Sequence, residues 1–311
     1  MREISVAVSR RIFPTANIDQ PREDGVRSWF EKGSFQIDSG STEELIILNR
    51  ANLSDLAPFI AWDYERFALS SIESWIESTT LSKRPKAIGW PLLKLYYAAF
   101  FGGHAVMRAT GKGVIRLEPK NASNLADLSA LFMTKISVTA GTYLFEIIQL
   151  EDRTLNIAFK KLTGSGGAHD QFWRQFYIFL TKLSEEVAAA DETGAATVIA
   201  QISDLQSILS ANGMTGGTWL STVRNQINYQ HQFSAWFPYT PSNQEAFTTK
   251  LMNPKISAAI RNDYSPGKNP LNAFNATCRL ISEINREVAL EIGRRETKRR
   301  FGRLLKRIET S

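Results

Sequence analysis

The segment Arg224-Asn225-Gln226-Ile227-Asn228-Tyr229-Gln230-His231 sets a permanent cation, four carboxamides and an imidazole close together. On a helix, seven steps turn through about 700°, which leaves Arg224 and His231 about 20° apart and Asn228 about 40° from Arg224. All three then share one face. Arginine neutralises a phosphate and the charge that builds on it in a transition state. An imidazole, which ordinarily titrates at about 6.5, exchanges protons near neutral pH. Those are the parts needed to cleave RNA without a metal. The rise of about 10 Å between Arg224 and His231 is too long for both to meet one phosphate through short side chains. A second copy of the helix, packed antiparallel, would bring the two pairs together. Spacing alone favours the plainer alternative, a polar helix face with a partly buried histidine.

These residues need rigid elements to hold them, and the pattern around them is helical. Trp219 to Trp236 reads as one helix that Pro238 terminates, with Trp236-Phe237-Pro238 packing at its end. Further helices are expected from Trp62 to Pro85, from Pro91 through Arg108, over Asp170–Ala190 and Ala196–Ala211, and from Leu271 to about Ile308. The run Leu92–Arg108 is apolar on nearly every face, so it must be buried in a core or against a second subunit. Strands are expected at Ile4–Val8, Glu44–Leu48, Phe132–Val138, Thr142–Leu150 and Leu155–Phe159. The fold class that follows is mainly α-helical. A mixed α/β region occupies residues 1–60, and a helical domain over 61–311 carries a small β insertion at about 112–165.

Composition narrows the function classes. The chain has 311 residues, 43% of them hydrophobic and 22% charged, which excludes a wholly disordered chain and a collagen-like repeat. The single cysteine, Cys278, cannot form an internal disulfide, and the three histidines (His104, His169, His231) show no metal-ligand spacing. No metal and no cofactor is therefore expected. The N-terminus offers no apolar core of signal-peptide length, and the longest apolar stretch, Leu95 to Met107, is too short to span a bilayer. A cytoplasmic protein without membrane contact is the expectation.

The net charge is +6, but between Arg294 and Arg307 eight basic residues face one acid, so the rest of the chain is close to neutral. Arg295, Arg299 and Lys306, with Arg303 beside them, fall near one face of a helix and are candidates for RNA phosphate contacts. A solvated helix face explains the same run. Gly164-Ser165-Gly166-Gly167 lacks the Lys-Ser/Thr pair of a phosphate loop and reads as a connector. His169 after it reads as a polar residue beside a helix cap. His104, among apolar neighbours, reads as a core histidine, with a supporting role near the cleft as the alternative. Tyr97 and Tyr229 could stack on a base, although aromatic residues on such helices more often pack in cores.

Two pieces of the chain together resemble the HEPN superfamily. Arg224 to His231 is similar to its Arg-x(4–6)-His motif in the six-residue spacer form, with Asn225 at the polar position after the arginine. Tyr96-Tyr97-Ala98-Ala99-Phe100-Phe101 is similar to the Tyr-Tyr-Ala-x-Phe helix that opens many such domains. The likeness covers mainly 90–111 and 217–240. It implies a helical bundle that dimerises through the motif helix and sets two motifs at a shared cleft. It implies a metal-independent endoribonuclease in which the ribose 2′-hydroxyl attacks the adjacent phosphorus and leaves a 2′,3′-cyclic phosphate. His231 would then be the general acid/base or the stabiliser of the leaving group, Arg224 would hold the scissile phosphate and Asn225 would orient the histidine or the phosphate, with Asn228, Tyr229 and His104 in support. The implied role is that of a toxin or of an antiviral or stress-defence effector, with a regulatory partner protein. The alternatives are a non-catalytic HEPN-like module that binds nucleotide, RNA or a partner, and a nucleic-acid-binding protein acting through its basic C-terminus.

Overall fold

The computed structural model describes residues 2–13, 24–32, 35–82, 87–132, 136–151, 154–164, 166–236 and 270–295. Helices predominate. In chain order the elements are α1 (Arg2–Ser9), α2 (Val26–Lys32), β1 (Gln36–Ile37), β2 (Leu45–Asn52), α3 (Leu53–Ser82) and α4 (Gly89–Ala109). There follow β3 (Lys112–Leu117), α5 (Pro119–Leu131), β4 (Gly141–Glu151), β5 (Thr154–Lys161), α6 (Ala168–Ala189), α7 (Ala195–Leu209), α8 (Trp219–Asn228) and α9 (Pro270–Arg295).

The helix that is apolar all round, α4, lies at the centre of the helical body, packed lengthwise against α3 and α9. Its glycine pair permits this. A Cβ on Gly102 would stand 3.0 Å from Ser71 Oγ and 3.3 Å from Asn285 Cβ, and one on Gly103 would stand 2.9 Å from the Phe172 ring. The neighbouring helices therefore approach to distances that a side chain would forbid.

The strands form one antiparallel sheet in the order β1-β2-β5-β4-β3. A second core fills the space between it, α2, α5 and the start of α3, with Trp29, Phe30, Phe59, Phe145 and Phe159 among its buried residues. Helix α3 joins the two cores. Leu56, Phe59 and Ile60 belong to the sheet core, and Tyr64, Ala68 and Ile72 to the helical one. The boundary expected between residues 60 and 61 thus falls inside α3, and β2 from the N-terminal region pairs with β5 of the expected insertion.

Several expected elements differ. Ile4–Val8 is helical rather than extended, because Ile4, Ala7 and Val8 stand at i, i+3 and i+4 and all three are buried. No strand forms over the described residues of Phe132–Val138: Phe132 follows α5 and 136–138 are irregular, while β3 and α5, neither of them expected, occupy the chain just before. Pro119 occupies the first turn of α5, and Glu118 with Asn121 forms its capping box. The helix expected from Trp219 to Trp236 stops at Asn228. The last helix runs from Pro270 to Arg295, and its expected continuation to Ile308 lies outside the described residues.

At the seam between the two cores lies an ion pair. Arg108, 2% exposed, faces Asp63 Oδ2 at 3.5 Å and donates to Val114 O at 3.0 Å. Its guanidinium lies 4.3 Å from the Phe67 ring centre. Asp63 also accepts from Val26 N at 3.2 Å and from Arg66 at 2.9 Å, so α2, α3, α4 and β3 meet here. Burial pulls the Arg108 guanidinium down to about 10, with the charge of Asp63 working in the opposite direction. Removing one partner of such a pair strands the other in the interior. Arg108→Met is expected to cost about 3–5 kcal/mol in a urea unfolding titration; a loss below ~1 kcal/mol would show that the pair does not hold the seam.

Candidate functional site around Arg224

Helix α8 begins after Gly216-Gly217, both with positive φ, where a Cβ on Gly217 would stand 2.8 Å from Tyr177 Cβ. Trp219, Leu220, Val223 and Ile227 form its buried stripe. Ser221 and Arg224 are buried with them, polar residues on the inward side. Arg224 is 9% exposed. Its Nη2 donates to Tyr97 Oη at 3.0 Å and its Nη1 to Asn225 Oδ1 at 2.9 Å. The guanidinium carbon lies 5.1 Å from the Tyr229 ring centre and 5.9 Å from that of Tyr97. Nε is buried and has no hydrogen-bond partner. Burial works against the charge, but bonding to Tyr97 and Tyr229 outweighs it and lifts the guanidinium above its ordinary value.

The apolar stripe of α8 has no continuation. Gln230, His231 and Ser234 stand where further apolar residues would be needed, and the helix ends. His231 adopts a left-handed conformation (φ 51°, ψ 31°) and is exposed. After a 3₁₀ turn at Gln232–Ser234 the chain folds back on α4. Trp236 Nε1 donates to Ile227 O at 2.6 Å and thereby satisfies a carbonyl of the last turn. Its ring lies over Gly89, where a Cβ would come within 2.7 Å, and edge-on to Trp90 at 5.3 Å. Arg224 and Asn228 therefore share α8, but His231 leaves it. The common face expected for Arg224, Asn228 and His231 does not form within one chain, because a left-handed residue redirects the backbone beyond the helix end. The His231 ring lies 6.3 Å from that of Trp236, and Tyr229 is 68% exposed.

A different histidine approaches the arginine. His169 opens α6, half-buried, and its Nδ1 lies 2.9 Å from Tyr96 Oη. Trp173 Nε1 donates to the same oxygen at 3.0 Å. The His169 ring lies 4.4 Å from Phe100 and 6.0 Å from Tyr97, the tyrosine that Arg224 binds. Ser221 Oγ donates to Asp170 Oδ1, which pins the start of α6 to α8 one turn before Arg224. Burial and then the charge of Arg224 push His169 below its ordinary value. No sequence signal marked this residue. Its partners come from α4 and from one turn along α6, and only the fold joins them.

His104, the third histidine, belongs to the core. It lies between Phe172 at 3.9 Å and Phe67 at 4.7 Å, both nearly parallel to it. Nη1 of the cationic Arg108 donates to its Nδ1 at 3.1 Å. Burial, followed by the charge of Arg108, holds it well below the usual imidazole range. At the C-terminal end, Arg295 closes α9 and donates to Glu291 at 2.9 Å, whereas Arg299, Arg303 and Lys306 lie outside the described residues. Away from Arg224, a cleft of about 380 Å³ is lined by Arg11, Lys112, Glu146 and Glu186. Its charges answer one another: Arg11 meets Glu186 at 2.7 Å and Lys112 meets Glu146 at 3.0 Å. Among the described residues no group of three or more His, Cys, Asp or Glu side chains could hold a metal ion, and no helix is long and apolar enough to cross a membrane. Comparison with protein-family models, with curated proteins and with solved structures returns no match.

Two histidines held neutral by the fold make stability depend on pH. The unfolded chain takes up protons as pH falls through about 6.5, while folded His104 and His169 resist, so their contribution is complete above that value and declines below it. Stability is expected to fall between pH 7 and pH 5.5 by up to about 1.4 kcal/mol per pH unit from the fully buried His104, and by less from the half-buried His169, whose shift solvent screens. His104→Gln should lessen the slope. Urea midpoints that do not move over this interval would contradict the assignment.

Proposed function

We propose that the chain is a HEPN-type endoribonuclease that works as a homodimer on RNA. One observation carries the reading. The two sequence pieces that resemble the superfamily, 127 residues apart, touch where the Arg224 guanidinium donates to Tyr97 Oη. The helical body around α4 is compatible with the bundle that the resemblance implies. In this reading Arg224 neutralises the scissile phosphate and the charge that grows on it as the ribose 2′-hydroxyl attacks. His231 exchanges the proton of that step, and Asn225, already bonded to Arg224, fixes the orientation of the guanidinium. The products are a 2′,3′-cyclic phosphate and a 5′-hydroxyl.

The position of His231 makes the dimer necessary. Within one chain it stands beyond the helix that carries Arg224, exposed, beside Trp236. Trp90 (59% exposed) and Tyr229 (68% exposed) add large apolar surface to the same side of the chain. Two copies meeting there would place each His231 towards the other copy's Arg224. The same separation is what favours the second reading, a non-catalytic HEPN-like module that binds nucleotide, RNA or a partner protein. A toxin or defence effector, held in check by a regulatory partner, is the role that fits the first reading.

Arg224→Ala and His231→Ala should each lower cleavage of total RNA by at least about a hundredfold, with an unchanged unfolding midpoint for His231→Ala. EDTA should leave the rate unchanged. A folded double variant with full activity, or a strictly monomeric protein that still cleaves, would refute the mechanism.

A further inference from the structure

We infer that His169 and Arg224 together form a phosphate-binding pair, in which the imidazole of α6 supplies a fixed neutral donor beside the guanidinium of α8. The inference deepens the ribonuclease reading and rests on it for the identity of the ligand, an RNA phosphodiester. It assigns the site a histidine that lies outside the Arg224–His231 segment.

The hydrogen bonds around Tyr96 decide which nitrogen of His169 carries the proton. The hydroxyl of Tyr96 accepts from Trp173 Nε1, which can only donate. Its own hydrogen then needs an acceptor, and His169 Nδ1 at 2.9 Å is the acceptor present. Nδ1 is thereby committed as acceptor, and the ring proton sits on Nε2. That N–H has no bond to any described residue. Two features hold the ring in place: the Phe100 and Tyr97 rings at 4.4 and 6.0 Å, and the Ser221–Asp170 bond, which ties the adjacent residue to α8.

Arg224 supplies the other half. A buried donor without a partner is uncommon in folded proteins, and its Nε is one. The exposed Tyr229 ring lies 5.1 Å from the guanidinium carbon, so the arginine sits next to a side chain that solvent and a ligand can reach. Both side chains border Tyr97: Arg224 Nη2 donates to its hydroxyl from α8, and the His169 ring on α6 lies 6.0 Å from its ring. An anion with several acceptor oxygens answers two such donors. The exposed Tyr229 adds a ring face on which a base flanking a phosphodiester can stack. A carboxylate or inorganic phosphate would leave that face unused.

The probe is a single-stranded RNA oligonucleotide methylated at every 2′-oxygen, which lacks the attacking hydroxyl and cannot be cleaved by this route. Affinity is measured for the full chain and three variants, with urea midpoints alongside. His169→Phe keeps ring packing and removes both nitrogens; it should bind about tenfold or more weakly. His169→Gln restores a donor and should recover part of the loss. Tyr96→Phe keeps the imidazole but frees Nδ1, and a loss of several-fold is expected because the tautomer is no longer fixed. Wild-type affinity in folded His169→Phe overturns the inference, as does a full chain that does not bind the probe. Should His169→Phe fail to fold, unchanged affinity in Tyr96→Phe overturns it instead. Cleavage of unmethylated RNA is scored separately. Binding that depends on His169 without any cleavage by the wild type would sink the ribonuclease reading and leave the phosphate site standing.

Discussion

Burying a helix on every face leaves its polar groups nowhere to go but to each other, and α4 imposes that constraint on the whole molecule. Sixteen of its residues are buried, among them His104 and Arg108. A guanidinium brought into such a place is stable only if oxygen atoms and ring faces surround it. Arg108 finds the carboxylate of Asp63, the carbonyl of Val114 and the face of Phe67. Those three partners sit on α3 and β3, so satisfying one charge fixes how the helical body meets the sheet. At the other end of α4, Tyr96 and Tyr97 do the same for α6 and α8. Each hydroxyl is bonded by a side chain from an element that arrives much later in the chain.

Much of this was legible in the sequence. The interior position of α4 follows from its lack of a polar face, and the strands β4 and β5 and helices α6 and α7 lie within a few residues of where alternation and turn residues put them. The misses have physical causes. Ile4–Val8 is too short for its apolar residues to separate a period of two from one of 3.6. Helix α5 is announced by Glu118-Pro119 and Asn121, a start signal rather than an apolar stripe. Helix α8 stops early because its polar C-terminal half has nothing to bury, which a search for motif spacing overlooks. Arg224 with Tyr97, and His169 with Tyr96, were out of reach. Pairs so distant in the chain become neighbours only when α4, α6 and α8 are packed.

The glycines around the site act by absence of a side chain. Gly103 lets Phe172 close onto α4, which brings His104 and the start of α6 against the same face. Gly89 accommodates the Trp236 ring, and that ring carries the hydrogen bond that ends α8. The glycine pair inside the apolar stretch and the glycine beside Trp90 look like interruptions in sequence. In the fold they are contact surfaces, and a methyl group at either would move the elements that hold the candidate site.

Burial sorts the three histidines into different chemistry. His104 is enclosed by rings and faces a cation, so its proton count is fixed and its contribution is packing. His169 has one nitrogen committed to Tyr96 inside the fold, which turns the rest of the ring into a donor of fixed identity. His231 stands on the surface at a left-handed residue, its ring 6.3 Å from that of Trp236. A residue that must bind an anion repeatedly gains from being held, as His169 is. In the proposed reading Arg224 draws on two histidines, on His169 from its own chain and on His231 from a second copy.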